Sequence, residues 1–150
     1  MKRAAVAGAL APILVGAAPL PVATLAVQIG NVRNDKGILH VDVCPEAYFL
    51  KEGCPYTATA AARTGTTIAV VRNVPAGRYA VQAFHDENRN RKVDRALLGI
   101  PREGVGFAND APIRFGPPKW AAAVIVLSGS DQTIALHMRY FLGASGPAGK

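Results

Sequence analysis

The sequence predicts an all-β fold, an antiparallel two-sheet β-sandwich formed as one domain. Short alternating or apolar segments recur along the chain, turn-forming residues separate them, and no segment of convincing length has the period of an amphipathic helix. At 150 residues, half of them hydrophobic, the chain is long enough to bury one core. We expect about six or seven strands joined by turns, which is typical of a sandwich.

The N-terminal segment over 1–23 has the layout of a secretory signal peptide. A short basic start is followed by an uncharged apolar run over 4–20, and small residues stand at Ala17, Ala18 and Ala23. A single membrane anchor is the alternative, but prolines and glycines interrupt the run, and it is shorter than about 20 strongly apolar residues. We therefore expect a cleaved signal and a periplasmic or secreted protein with no transmembrane segment after cleavage.

After the signal peptide we expect a β-sandwich domain over 24–142 and a flexible tail over 143–150. The formal charge is +7, and removal of two basic residues with the signal peptide would lower it to +5. A basic exported protein could contact anionic lipid, polysaccharide or nucleic acid. The Lys and Arg residues are scattered, however, apart from one dense set between Asp86 and Asp94. We interpret them as solvated surface and expect no specific nucleic-acid partner.

The two cysteines, Cys44 and Cys54, lie close together in a chain that we expect to be exported. Disulfides form in oxidising compartments, so a bond closing this short loop is expected. A metal pair is the rival interpretation, but the spacing fits none of the usual zinc patterns, and no Cys or His stands close beside either residue.

The first pair of expected strands alternates with period two. Leu25, Val27 and Ile29 are separated by small or polar residues, and the turn-like segment over 34–37 leads to a second alternating run over 38–43. We expect these two strands to form a β-hairpin.

A second hairpin is expected to join a β-branched strand over 66–71 to an alternating strand over 79–84 through the turn at 73–77. Alternation predicts that the odd-numbered residues of the second strand face one side and that Phe84 faces the other. This strand leads directly into a polar loop. Two further strands are expected over 122–127 and 133–140.

The polar loop carries the first part of a calcium-loop pattern. Oxygen-bearing side chains recur at every second position, and a further carboxylate follows. Calcium is therefore the one cofactor that the pattern suggests. The candidate ligands, from loop position one to position nine, are Asp86, Asn88, Asn90, Lys92 through its backbone carbonyl, and Asp94.

Two features oppose tight calcium binding. The twelfth position is Leu97 rather than a bidentate Glu, so two carboxylates would hold the ion among basic side chains. Arg91 stands where such loops have Gly for a left-handed turn, at a cost of about 1 to 2 kcal/mol. One alternative is weak binding, about 0.1 to 1 mM as in extracellular modules. The other, which we favour, is a metal-free loop in which Asn88 and Asn90 form Asx turns and an Arg neutralises one of the aspartates.

The stretch over 86–120 shows no sustained periodicity because Gly and Pro residues interrupt it. Such a long irregular segment in a compact domain is normally functional or disordered. Several apolar residues could anchor it to the core, so we expect it to be ordered. These anchors are Leu97, Leu98, Ile100, Val105 and Phe107.

A series of motifs in a fixed order resembles a bacterial family. The motifs are VPAGRYAVQAFHDEN over 74–88, Asp94, LGIP over 98–101, EG over 103–104, GF over 106–107 and GPP over 116–118. In these the chain is similar to the secreted family known as domain of unknown function 2141. The resemblance implies an exported sandwich of transthyretin-like or immunoglobulin-like topology with no established activity. It also implies a loop of the form His-Asp-x-Asn-x-Asn-Gly-x-x-Asp, in which Arg91 here replaces the Gly.

Two functional interpretations are non-catalytic. In the first, the protein is an envelope binding or structural module that presents the long polar loop over 85–118 to an envelope or extracellular ligand, because exposed loops on rigid sandwiches are common recognition surfaces. In the second, calcium organises that loop. We prefer the first.

The third interpretation is an enzyme. His40, His85 and His137 lie on three expected strands and could converge with Asp42 or Asp86 on a metal or on acid–base chemistry. A transthyretin-related hydroxyisourate hydrolase would be the natural candidate, but its closing Tyr-Arg-Gly-Ser motif is missing. Nucleophile elbow, phosphate loop and paired zinc motif are absent from the sequence as well. We therefore expect no enzyme and no catalytic residues.

Overall fold

A computed structural model describes residues 16–147. Within that range the chain forms eight β-strands in two sheets and no α-helix, so the predicted all-β sandwich is confirmed. The strands are β1 (Val22–Val32), β2 (Ile38–Cys44), β3 (Tyr56–Ala61), β4 (Gly65–Pro75), β5 (Gly77–Asp86), β6 (Val105–Phe107), β7 (Val124–Leu127) and β8 (Gln132–His137).

The smaller sheet has three strands in the order β4-β1-β8, and the larger sheet has five. The larger sheet runs β3-β2-β5-β6, and β7 pairs with the first half of β5 on the edge that β6 also occupies. Strand β1 is antiparallel to β4 but parallel to β8. All the remaining pairs of neighbouring strands are antiparallel, as predicted.

Both predicted hairpins are wrong. Strands β1 and β2 belong to different sheets, and so do β4 and β5, so their connections cross the sandwich. Both members of such a pair turn an apolar face to the same core, and alternation therefore cannot distinguish a crossing from a hairpin. The hairpin that does form joins β2 to β3, and the predicted disulfide between Cys44 and Cys54 spans its loop.

The sequence did not reveal two of the strands. Strand β3 reads YTATAA and consists largely of small residues, so its alternation is weak. Strand β6 has only three residues. Two of the expected anchors in the long irregular stretch are correct, since Phe107 is buried and Val105 is half-buried. The other three are wrong, because Leu97, Leu98 and Ile100 are 85%, 90% and 39% exposed.

The main core lies between the two sheets and is formed by alternate residues of most strands. Each buried Val, Leu or Ile contributes about 1.5 to 3 kcal/mol relative to an exposed side chain. The largest fully buried side chains of this core are Leu25, Ile29, Leu39, Leu127, Leu136 and Met138. A smaller cluster covers part of the outer face of the larger sheet and contains Phe49, Ala80, Phe107, Ala111 and Ala123, with Ile113 and Trp120 against it.

Strand β1 begins inside the segment expected to be the signal peptide. Val22 pairs with Pro75 and Ala23 pairs with Val74, and Ala23 is buried. The expected signal residues over 1–15 lie outside the described residues. Within 16–147 no helix has the length and apolarity needed to cross a membrane.

The segment after β8 folds back along the end of β1. Asn31 donates a hydrogen bond from Nδ2 to the carbonyl of Ser145 at 2.9 Å, and Arg33 donates from Nη1 to the carbonyl of Leu142 at 2.8 Å. These bonds hold the first part of the expected tail, and its last residues, 148–150, lie outside the described range.

Candidate functional site

Asp86 ends β5 and begins the polar loop. Its side chain is fully buried, and Oδ1 accepts the N–H of Asn90 at 3.0 Å while Oδ2 accepts the N–H of Arg91 at 2.8 Å. His40, on the neighbouring strand β2, places Nε2 3.1 Å from the same Oδ2. Asp86 thus folds the loop back onto the end of its own strand.

Asn88 and Asn90 form the two predicted Asx turns, which are confirmed. Asn88 Oδ1 accepts the N–H of Asn90 at 3.1 Å, and Asn90 Oδ1 accepts the N–H of Lys92 at 2.9 Å. Both amide groups donate to Asp94, from Asn88 Nδ2 at 2.6 Å and from Asn90 Nδ2 at 2.8 Å. The loop therefore brings the five predicted residues into one hydrogen-bonded network, which Lys92 joins through its N–H and not through the predicted carbonyl.

The predicted Arg partner for an aspartate is wrong. Among residues 16–147, no Arg lies within ion-pair distance of Asp86 or Asp94, and the charged partner that Asp86 has is His40. The reason is backbone geometry, because Asp86 accepts the backbone N–H groups of Asn90 and Arg91, while the side chains of Arg89 and Arg91 are exposed to solvent. Arg89 and Arg91 both have left-handed backbones, with φ of 61° and 62°.

Glu103 closes the loop, and sequence reasoning missed its role. This carboxylate is only 4% exposed; Oε1 accepts the N–H of Glu87 at 3.0 Å, and Oε2 accepts the N–H of Asp94 at 3.1 Å. One side chain from the returning segment therefore joins the two ends of the loop. An acidic residue two positions before β6 was the available signal, but its partners are backbone groups that no motif reveals.

The pKa values of the two buried acids, Glu103 and Asp86, shift in opposite directions. Burial raises the pKa of Glu103 above its ordinary value, and the nearby Asp94 and Asp86 carboxylates add to the rise, although two backbone N–H bonds oppose it. Burial would raise the pKa of Asp86 too, but the N–H groups of Arg91 and Asn90 and the His40 ring together lower it. Asp86 is therefore the acid that the loop holds in its charged form.

The turn before β2 packs directly against the loop. Gly37 has φ of 71°, and a Cβ there would collide with the carbonyl oxygen of Asp86. Below this contact His85 is fully buried, with Nδ1 2.9 Å from the Tyr140 hydroxyl and Nε2 2.7 Å from the carbonyl of Lys36. These contacts make the start of the loop part of the rigid scaffold.

The outer face of the larger sheet forms the floor of an open cleft of about 980 Å³. On this floor the rings of His40 and Phe84 stack with centroids 4.4 Å apart. Beside them Gln82 donates from Nε2 to Asp42 Oδ2 at 3.0 Å, and burial raises the pKa of Asp42. Three segments form the walls. One is the disulfide loop over 50–54, and the other two are parts of the long polar loop, over 91–101 and over 113–117.

The three histidines do not converge. His40 faces the cleft, His85 is buried on the opposite face of the larger sheet, and His137 is exposed beside Asp110 at 2.9 Å. In residues 16–147 there is no cluster of three or more His, Cys, Asp or Glu side chains suited to a metal ion. The predicted calcium ligands include amides and a backbone carbonyl, so that observation does not test them.

The loop geometry bears on how calcium would fit. Asn88 and Asn90 direct their Nδ2 groups toward Asp94, and both oxygens of Asp86 accept backbone N–H groups. The groups of Asn88 and Asn90 that face Asp94 are therefore N–H donors, while their Oδ1 atoms accept backbone N–H groups of the loop.

Comparison with known families adds one result. A family model described as an uncharacterized protein conserved in bacteria, DUF2141, matches residues 27–135. The chain belongs to this family. The match runs from the middle of β1 to most of β8 and includes the polar loop and all but one of the residues that line the cleft. No curated protein and no solved structure matches the chain.

Membership of DUF2141 confirms the resemblance seen in the motifs. Where the DUF2141 loop pattern has Gly, Arg91 adopts the left-handed backbone that Gly would supply. In this chain the loop contacts of Asp86, Asn88, Asn90 and Asp94 are made with Arg91 at that position.

Proposed function

We propose that the protein is an exported, non-catalytic binding module and that the cleft beside the polar loop is its ligand site. The cleft carries this proposal. Its volume of about 980 Å³ falls at the upper end of the range for small-molecule sites. Its floor consists of paired strands, and the wall that contains the polar loop is tied down by Asp86 and Glu103, so the site is preorganised.

Export is supported by two independent features. The start of the chain has the basic and apolar layout of a signal peptide. The bond between Cys44 and Cys54 favours an oxidising compartment, because thiols stay reduced in the cytosol. A binding role in the envelope fits both.

A cleft-filling variant tests the binding role. Thr59 is exposed on β3 and lines the cleft, whereas Thr133 is exposed on β8 in the other sheet. Long-chain carboxylates, oligosaccharides and peptides are screened by amide chemical-shift mapping. We expect one class to shift the signals of Asp42, Thr59 and Gln82, Thr59→Trp to abolish the effect, and Thr133→Trp to preserve it. Shifts confined to other surfaces, or none from any class, would contradict the proposal.

Calcium organisation of the loop is the second candidate, and the convergence of Asp86, Asn88, Asn90 and Asp94 favours it. We expect calorimetric titration at low salt to show binding no tighter than about 0.1 mM. Arg91→Gly should tighten any such binding, and Asp86→Ala should abolish it. Sub-micromolar binding by the natural chain would establish a calcium module, whereas no gain from Arg91→Gly would remove the calcium-loop interpretation.

A further inference from the structure

Of the three most exposed large hydrophobic side chains among residues 16–147, two line the cleft and the third is the neighbour of one of them in the chain. Leu97 is 85% exposed, Leu98 is 90% exposed, and Phe115 is fully exposed. Leu98 and Phe115 line the same cleft from two different walls, so the two tips flank one opening. Single exposed apolar residues are ordinary, but a group of this size at one place marks an interaction surface.

A closed hairpin displays the leucine pair. Arg95 and Pro101 form an isolated β-bridge, and the N–H of Ala96 donates to the carbonyl of Ile100 at 2.7 Å. Leu98 has φ of 65°, an uncommon backbone for a residue other than Gly, at the turn of this hairpin. The hairpin backbone is closed by these contacts, and it holds the two leucines at its turn, where their side chains are exposed to solvent.

Basic side chains surround these tips. Arg91, Lys92, Arg95 and Arg114 are exposed and line the cleft with Leu98 and Phe115. In the described part of the chain none of these four forms an ion pair with a carboxylate. From the sequence we expected the basic residues to be scattered solvated surface. These four instead line the same cleft as the exposed Leu98 and Phe115.

We propose that this mouth docks the protein on an anionic lipid surface, with the three apolar side chains among the acyl chains and the four basic residues at the headgroup phosphates. This combination of apolar insertion and cationic contact is what interfacial binding requires. A protein partner is the other occupant to consider, and it would need further contacts besides these three apolar side chains to reach the roughly 800 Å² per partner of a standard interface. The proposal is independent of what the cleft binds.

Vesicle sedimentation tests the proposal with the full mature chain. Phosphatidylglycerol-containing vesicles are compared with pure phosphatidylcholine vesicles at low and at physiological salt. We expect at least tenfold tighter binding to the anionic vesicles and weaker binding as salt rises. The double variant Leu98→Ser with Phe115→Ser, and separately Arg91→Gln with Lys92→Gln, should each weaken binding about tenfold or more. Ile68→Ser and Arg72→Gln, at exposed positions on β4, serve as matched controls and should leave binding unchanged.

Insertion is measured separately from surface attraction. Leu98→Trp and Ile68→Trp are each placed in a Trp120→Phe background, and quenching by brominated lipid is recorded. Quenching of the Leu98 probe alone supports docking through the tips. Equal affinity for neutral vesicles, quenching at Ile68 instead, or no binding to either vesicle would overturn the proposal. Equally tight binding of soluble polyphosphate that ignores the Leu98 and Phe115 changes would identify a polyanion site and also overturn it.

Discussion

His40 Nε2 lies 3.1 Å from Asp86 Oδ2, and this contact joins the floor of the cleft to the start of the polar loop. His40 belongs to β2 and Asp86 to β5, and both side chains stand on the outer face of the larger sheet. The same carboxylate receives two backbone N–H groups of the loop. A substitution at Asp86 should therefore alter both the conformation of the loop and the position of His40 in the cleft.

Asp86→Asn should destabilise the protein in a pH-dependent way. Because the folded protein lowers the pKa of Asp86, its charged form contributes stability above the ordinary value of 3.8, and this contribution is lost as the pH falls through the lower folded pKa. We expect a loss of about 1 to 3 kcal/mol in unfolding free energy at pH 7, typical of hydrogen bonds to a charged group.

Urea unfolding of both proteins from pH 7 down to pH 2.5 measures this difference. The gap should narrow below the ordinary pKa of 3.8. Glu52→Gln, at an exposed position, should change stability by less than about 0.5 kcal/mol at every pH. A gap of the same size at pH 2.5 and pH 7 would show that Asp86 acts through packing rather than charge.

Glu103→Ala should release the loop. It leaves the N–H groups of Glu87 and Asp94 without their acceptor, at a cost of about 2 to 4 kcal/mol for two orphaned donors. Glu103→Gln keeps one acceptor and should lose roughly half as much. Hydrogen exchange of these two amides is the direct measurement, and it should accelerate in both variants. Glu52→Ala, an exposed position, is the control, and unchanged exchange in Glu103→Ala would refute the assigned role.

Arg91→Gly should stabilise the protein. Arg91 has φ of 62°, a conformation that costs a side-chain-bearing residue about 1 to 2 kcal/mol. Part of the gain is offset because Gly is more flexible in the unfolded chain, so we expect a net increase of about 0.5 to 1 kcal/mol. Lys92→Gly is the matched control at the next residue, which lacks a positive φ, and it should be destabilising. Equal effects of the two changes would be inconsistent with backbone strain at Arg91.

Phe84→Ala should cost less than a core substitution. The ring is only half-buried, and it packs in the cleft against His40 instead of entering the main core. We expect a loss of about 1 to 2 kcal/mol, where a fully buried Phe would cost about 3 to 5. Phe49→Ala, at a buried position of the smaller cluster, is the comparison and should show the larger loss. Denaturant unfolding of both variants decides the order.

Intact-mass measurement of periplasmic protein should show a start between Ala18 and Thr24 and a mass two hydrogens below that of the reduced chain. A start at Ala18 would keep Val22 and Ala23, which pair with β4. Removal of the disulfide by replacing Cys44 and Cys54 with Ala should cost about 2 to 3 kcal/mol, because the closed loop is short. Two free thiols or a retained Met1 would refute the prediction.

The sequence alone was enough for features that depend on neighbours along the chain. Period-two alternation in Leu25 to Ile29 and in Tyr79 to Phe84 predicts which side chains share a face, since a strand turns over at each residue. The Asx turns at Asn88 and Asn90 join residues two apart, so local chemistry predicts them as well.

Only the tertiary structure decided which strands pair and which groups meet at the site. Whether β1 continues into a hairpin or crosses to the other sheet depends on which distant strand offers free edge groups, and alternation is identical in both cases. His40 reaches Asp86 across 46 residues, and Glu103 reaches Glu87 across 16. Such contacts depend on loop closure and sheet order, which no local pattern encodes. For that reason the sequence predicted an Arg as the charged partner of an aspartate in the loop, whereas in the fold the charged partner of Asp86 is His40.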